Sequence, residues 1–458
     1  MDREQIAALG HRARHPVVVL RDLLRAGLSL PGQGLSAMPD LRRRGLIAMS
    51  TAGLGLAVSG AFAAALGGES SRRPGGGEPY PRERSDGRPW DEVFARMPAE
   101  LSALIDEPQH AVQLRWIRIV RDARGHRRYV VHDRGLAPKR WFPAASVAKL
   151  PMALLMAEAL QARGGDASTL LRLDAPPASG EWSHDEPVEE SFLHGLRRTF
   201  AVSDNTPFNR WYELLGTDAV HRRLVALGYP HVRLIARLGS SDPEANRRSG
   251  GGAMRSAQGE WRRFPTAVGR ARRFPFGAVR VGDGWMGDDG VVIPGPHDFS
   301  RANFLPLADS LRMLQAFMWP ESVPAAQRWR IEGGLRATVL HALAARPRDH
   351  GMPAYPEAQY PDGYARWFFV GDGRERYPQG LSVFGKSGMA YGSLSEVAYV
   401  IDRVSGAEFM LAASIQANAD GIYNDNRYEY ATVALPFMAA FGRAVLESER
   451  ASAGRNER

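Results

Sequence analysis

Ser146 stands three residues before Lys149 in the stretch Phe142-Pro143-Ala144-Ala145-Ser146-Val147-Ala148-Lys149, and an apolar run from Met152 to Leu160 follows. If that run is helical, the two side chains share a face, because positions i and i+3 are neighbours on a helix. Ser146 then lies in the first turn, where free N–H groups and the helix dipole favour developing negative charge. A serine hydroxyl is a weak nucleophile at neutral pH, and a desolvated lysine with a lowered pKa can serve as its base. The lysine is informative because the chain is so rich in arginine: lysine occurs only at Lys139, Lys149 and Lys386. Arginine keeps its proton in a protein, whereas a buried lysine can lose it. Surviving lysines therefore mark places where a guanidinium does not serve. The competing reading is drift, and Lys139 in Pro138-Lys139-Arg140 fits it.

Three further stretches carry groups that complement such a pair. Ser203-Asp204-Asn205 offers a hydroxyl that can pass a proton and an amide that can bind a substrate carbonyl or amide. The same three residue types also make an ordinary helix cap before Arg210 to Leu215. Lys386-Ser387-Gly388, at the end of an apolar strand-like run, offers a cation and a hydroxyl suited to a substrate carboxylate. The N–H of Met389, just past Gly388, can share an oxyanion hole with the N–H of Ser146. The polar loop Arg237 to Asn246 presents Asp242, Glu244 and Asn246, which can hold a hydrolytic water or simply face solvent.

The elements that must bring these groups together are legible in outline. Val112 to Val120 and Tyr129 to Val131 largely alternate around Arg124-Gly125 and read as a hairpin delivering the chain to Ser146. Residues 147–235 read as mostly helical, and helical patterns return from Leu305 to Trp319 and from Gln327 to Ala345. Residues 247–300 lack a period until Val291-Val292-Ile293 and read as an insertion. A second insertion spans 346–380, around a strand-like Trp367 to Val370 whose aromatics are expected to bury themselves rather than line a cleft. Val397 to Ile401 and Phe409 to Ile415 complete an antiparallel meander, and a helix near 429–447 closes the chain.

Composition narrows the function classes. With 458 residues, 44% hydrophobic, the chain can bury a substantial core. The net charge of +9 raises the question of nucleic acid, but the arginines are scattered and no nucleic-acid-binding signature is present, so none is expected as a partner. The absence of cysteine excludes disulfides and thiolate chemistry. The 12 histidines are dispersed, and neither a metal nor another cofactor is expected. Residues 1–37 form a basic extension or an overcalled start. Residues 38–68 read as an export signal: Arg42-Arg43-Arg44, then a small-residue run ending in Ala61-Phe62-Ala63-Ala64-Ala65. The arginines before Gly45-Leu46-Ile47 resemble a twin-arginine signal. The alternative is an uncleaved anchor over 45–68, the one expected membrane contact. Residues 69–89, rich in Gly, Pro, Arg and Ser, read as a linker before a catalytic domain over 90–450.

Taken in order, Ser146-x-x-Lys149, Ser203-Asp204-Asn205 and Lys386-Ser387-Gly388 resemble the penicillin-recognising serine enzymes, most closely the class A β-lactamases. Phe142-Pro143, Asn209, Leu214-Leu215-Gly216 and the Arg237 to Asn246 loop, similar to the family's omega loop, extend the resemblance. It implies an α+β fold: an antiparallel sheet flanked by helices plus an all-helical subdomain, with the site between. It implies Ser146 as the acylated nucleophile, Lys149 as base or relay, and Ser203 as proton shuttle. Asn205 would bind the substrate amide, Lys386 and Ser387 its carboxylate, and the N–H groups of Ser146 and Met389 the oxyanion. The family's deacylating glutamate falls on Asp242, one methylene shorter, with Glu244 as the fallback, and Asn246 matches the water-holding amide. The substrates expected are small β-lactams or cell-wall peptide, opened by an exported, periplasmic monomer. Slow turnover of the cell-wall kind and a non-catalytic envelope protein are the alternatives.

Overall fold

The computed structural model describes residues 88–456 except positions 123, 183–185, 257, 278, 350, 352–353 and 375. The extension 1–37, the export signal 38–68 and nearly all of the linker 69–89 lie outside the described residues. Helix α1 (Arg88–Phe94) comes first, then the hairpin β1 (Gln113–Arg121) and β2 (Arg127–Arg134). A run of helices follows: α2 (Lys149–Gln161), α3 (Phe192–Ala201), α4 (Thr206–Leu215) and α5 (Thr217–Ala226). Further on lie α6 (Leu307–Met318) and α7 (Gly333–Ala344), then the meander β3 (Leu381–Ala390), β4 (Ser393–Asp402) and β5 (Glu408–Gln416). Helix α8 (Leu435–Asn456) ends the described chain.

The five long strands form one antiparallel sheet in the order β3-β4-β5-β1-β2. The N-terminal hairpin thus joins the C-terminal meander, with Gln113 opposite Ser414. Period-2 alternation sends one set of side chains to each face. One face, with Val383, Leu394, Ala398, Val400 and Leu411, packs against α1 and α8 in a core that includes Trp90 and Phe441. The Trp90 and Phe441 rings stack 6.2 Å apart. The other face meets α6 and, along the edge strand β3, α7. Helices on both faces of an antiparallel sheet make this an α+β fold, as expected.

Helix α2 is apolar around its whole circumference and buried from Lys149 to Glu158. Such a helix belongs inside the molecule. Pro151 is tolerated because the first turn has no N–H bonds to lose. The second lobe is not wholly helical. It carries a small sheet in the order Glu189–Ser191, Leu170–Leu173, Gly252–Arg255, Trp261–Phe264. Strands of three or four residues are too short to leave a readable period, which is why residues 147–235 and 247–300 concealed them.

Trp367 to Val370 is a turn rather than a strand, with Phe369 at φ 76°. Its apolar run mimics a strand, yet the segment is tied to the sheet by side chains. The buried Glu396 accepts from the N–H groups of Trp367 and Phe368, at 2.7 and 3.0 Å, and Arg366 Nη1 donates to the Val383 carbonyl at 2.7 Å. The four aromatic and aliphatic side chains are nearly fully buried, as the sequence leads one to expect.

Candidate functional site

Ser146 lies in a 3-10 turn, Ala145–Ala148, that runs directly into α2. The turn is entered through Ala145 at φ 43°, a left-handed conformation that an alanine adopts at a cost. Lys149, the first residue of α2, is fully buried, and its Nζ lies 2.8 Å from Ser146 Oγ and 3.2 Å from Ser203 Oγ. It also donates to the Ser203 carbonyl. Ser203 is itself held at φ 61°, just before α4, so both hydroxyls of the site are presented by strained backbone. Burial pushes the Lys149 ammonium down from 10.5 to about 7, against the opposing pull of Asp204 and Glu181.

From the other side comes β3. Lys386 Nζ lies 2.8 Å from Ser203 Oγ and 2.9 Å from the Ser387 carbonyl. Ser203 Oγ therefore bridges two amines, and a chain of polar atoms runs Ser146, Lys149, Ser203, Lys386. Burial, and then the nearby Lys149 and Arg366, hold Lys386 well below its ordinary value. An incoming carboxylate would restore its charge. Gly388 is where β3 meets the Ser146 turn. A Cβ there would stand 2.7 Å from the Ala144 carbonyl oxygen, 2.9 Å from Ser146 N and 3.0 Å from Val147 N. Only glycine lets the strand approach the Ser146 N–H this closely.

Ser387 behaves differently from its neighbour. Successive strand side chains point to opposite faces, and the Ser387 hydroxyl donates to the Ala365 carbonyl, on the side of Glu396 and Arg366. It is not brought to Ser203. The Asn205 amide donates to Glu181 Oε2 at 2.5 Å, leaving its carbonyl oxygen to accept from a substrate N–H.

The three loop residues are placed elsewhere. Asp242 is exposed and caps the short helix Pro243–Arg247 by accepting from Glu244 N and Ala245 N, at 2.9 and 3.0 Å. Glu244 is exposed and pairs with Arg247 at 2.7 Å. Asn246 is buried, but its side-chain oxygen accepts from Arg237 N at 3.0 Å. None of the three hydrogen-bonds to Ser146, Lys149 or Ser203 among the described residues. A Ser/Asp/Asn residue before a helix is drawn to the free N–H groups of that helix, and here capping wins.

Besides Asp204, a carboxylate from outside the motifs reaches the site, that of Glu181. Its backbone N donates to the Leu238 carbonyl at 2.9 Å, and its carbonyl accepts from Asn209 Nδ2 at 2.9 Å. It sits in Gly180-Glu181-Trp182, where no motif announces it. Leu238, in turn, is fixed by the loop's own anchor. Arg237 pairs with Glu213 at 2.5 Å, both nearly fully buried, and donates to the carbonyls of Ala245 and Arg248. Removing one partner of such a pair leaves an uncompensated buried charge. Arg237→Ala is expected to lose about 3–5 kcal/mol of folding stability, read by chemical denaturation. A loss under about 1 kcal/mol would show that the pair does not hold the loop.

Residues 130–259, which carry both the Ser146 and the Ser203 motifs, match the model of the β-lactamase enzyme family. That is the family that the ordered motifs resemble, matched here over the stretch that carries the first two of them. The chain is similar to solved β-lactamases from Sphaerobacter thermophilus (16% identical, 79% of this chain and 97% of that one, TM-score 0.43) and Desulfarculus baarsii (18%, 78% and 97%, 0.43). It is also similar to PBP-A (14%, 81% and 98%, 0.42). No curated protein matches.

Proposed function

We propose that this chain is an active-site serine hydrolase of the penicillin-recognising type that is acylated on Ser146 and releases β-lactam acyl groups slowly. The observation carrying the reading is the fully buried Lys149 amine, 2.8 Å from Ser146 Oγ, with its pKa pushed down to about 7. A lysine in that state is a base at neutral pH. Lys149 takes the Ser146 proton as Oγ bonds to the carbonyl carbon. The carbonyl oxygen, now negative, is held by the N–H groups of Ser146 and Met389. The proton passes from Lys149 through Ser203 to the leaving nitrogen as the C–N bond breaks. Lys386 binds the substrate carboxylate and Asn205 its side-chain amide.

Release of the acyl group needs an activated water. The solvent-facing Asp242 and Glu244 support slow release, hence a D-alanyl-D-alanine-type peptidase, amidase or esterase acting on cell-wall peptide and trapped by β-lactams. The β-lactamase reading is favoured instead by the family match over residues 130–259. The export reading of residues 38–68 places the enzyme beyond the inner membrane, where cell-wall peptide lies.

Mixing the purified protein with a chromogenic cephalosporin and following hydrolysis and intact mass together decides between the two. The expected result is one acyl adduct on Ser146 that outlasts the colour burst. In Asp242→Asn the adduct lifetime should change by less than about twofold, because the carboxylate serves a helix cap. Steady turnover that collapses in Asp242→Asn supports the β-lactamase instead. No adduct, with Ser146→Ala indistinguishable from wild type, overturns both.

A further inference from the structure

Against the Arg237–Asn246 loop lies a cavity of about 70 Å³ that the reaction above does not use. It is lined by Arg247, Arg270, Arg272, Arg273 and Arg301 together with Thr217. Two of the arginines are committed: Arg247 pairs with Glu244 at 2.7 Å and Arg272 with Asp218 at 2.5 Å. The guanidinium groups of Arg270, Arg273 and Arg301 hydrogen-bond to no described residue, so the cavity holds more positive charge than its carboxylates balance. Thr217 stands at the wall of the same cavity. Its residue is only 5% exposed, and its hydroxyl is buried without a hydrogen-bond partner. A buried polar group normally has one. Thr217 also opens the ten-residue helix α5, whose free N–H groups and dipole favour an anion. Gly269 makes room for this hydroxyl, since a Cβ there would fall 1.8 Å from Thr217 Oγ1.

We propose that this cavity binds a tetrahedral oxyanion, inorganic phosphate or a phosphomonoester. Guanidinium forks match such an ion. The volume holds about five water-sized spheres, which suits an ion of five heavy atoms. Pro243, Glu244 and Asn246 line the same cavity, so the bound anion braces the loop from behind.

Titration calorimetry on the full chain, with sodium phosphate and with glycerol phosphate against sodium chloride of equal ionic strength, tests the site. Matching the ionic strength removes general charge screening. Saturable binding of one anion per chain is expected. Arg273→Ala/Arg301→Ala should weaken it by about tenfold or more. Arg273 and Arg301 are exposed, so their loss should leave the thermal melt in chloride unchanged. Equal affinities would identify the free ion as sufficient, and tighter glycerol phosphate would identify the ester; either upholds the site. No heat beyond the chloride control, or binding unaltered in the double arginine variant, overturns it.

Discussion

Lys149→Arg should slow acylation of Ser146 by about 10²–10⁴-fold, the usual contribution of a positioned general base. The substitution keeps a cation on α2 but not a base, since a guanidinium holds its proton at any working pH. The same residue sets the pH profile. Burial depresses its pKa to about 7, so the amine is protonated and idle below that value and neutral above it. The wild-type acylation rate should therefore climb as pH rises through about 7 and level off beyond. That rising limb should vanish in Lys149→Arg. Stopped mass spectrometry of the Ser146 adduct at pH 5 to 9 reads both effects. Because Lys149 is fully buried, Lys149→Met serves as a second variant that fits an apolar surrounding. If either folded variant acylates within tenfold of wild type, Lys149 is not the base.

The second large effect is expected at a glycine. In Gly388→Ala the new methyl would stand 2.9 Å from Ser146 N and 2.7 Å from the Ala144 carbonyl oxygen, closer than real Cβ atoms come. Both neighbours are backbone, so the strand or the nucleophile turn must give way. Either movement separates the two N–H groups that would hold the oxyanion, and loss of one such donor costs about 10²–10³-fold. Acylation should fall by that factor while the Lys149 limb of the pH profile stays near 7, because the base is untouched. An acylation rate within threefold of wild type would show that β3 does not form the oxyanion site.

Much of this site is legible in the order and spacing of the residues themselves. Ser146 and Lys149 meet because i and i+3 positions on a tight helical turn must. The scarcity of lysine in an arginine-rich chain singles out the two amines that Ser203 bridges. The hairpin follows from alternation over eight or nine residues, and the meander and the buried helix from apolar runs of comparable length. The short strands and the turn at Trp367 to Val370 do not, because three or four residues carry no period and an apolar run reads alike in a strand or a buried turn.

What sequence alone determined was local: which residues share a face, which hydroxyl has an amine beside it, and which of them a family resemblance ties together. What only the tertiary structure decided was long-range. It carried Lys386, 183 positions along the chain, to the Ser203 hydroxyl. It also turned Asp242 and Glu244 outward while bringing the unheralded Glu181 to Asn205. The physical reason is competition. A carboxylate beside a helix start can serve that helix or a distant site, and only the packed chain shows which hydrogen bond it makes.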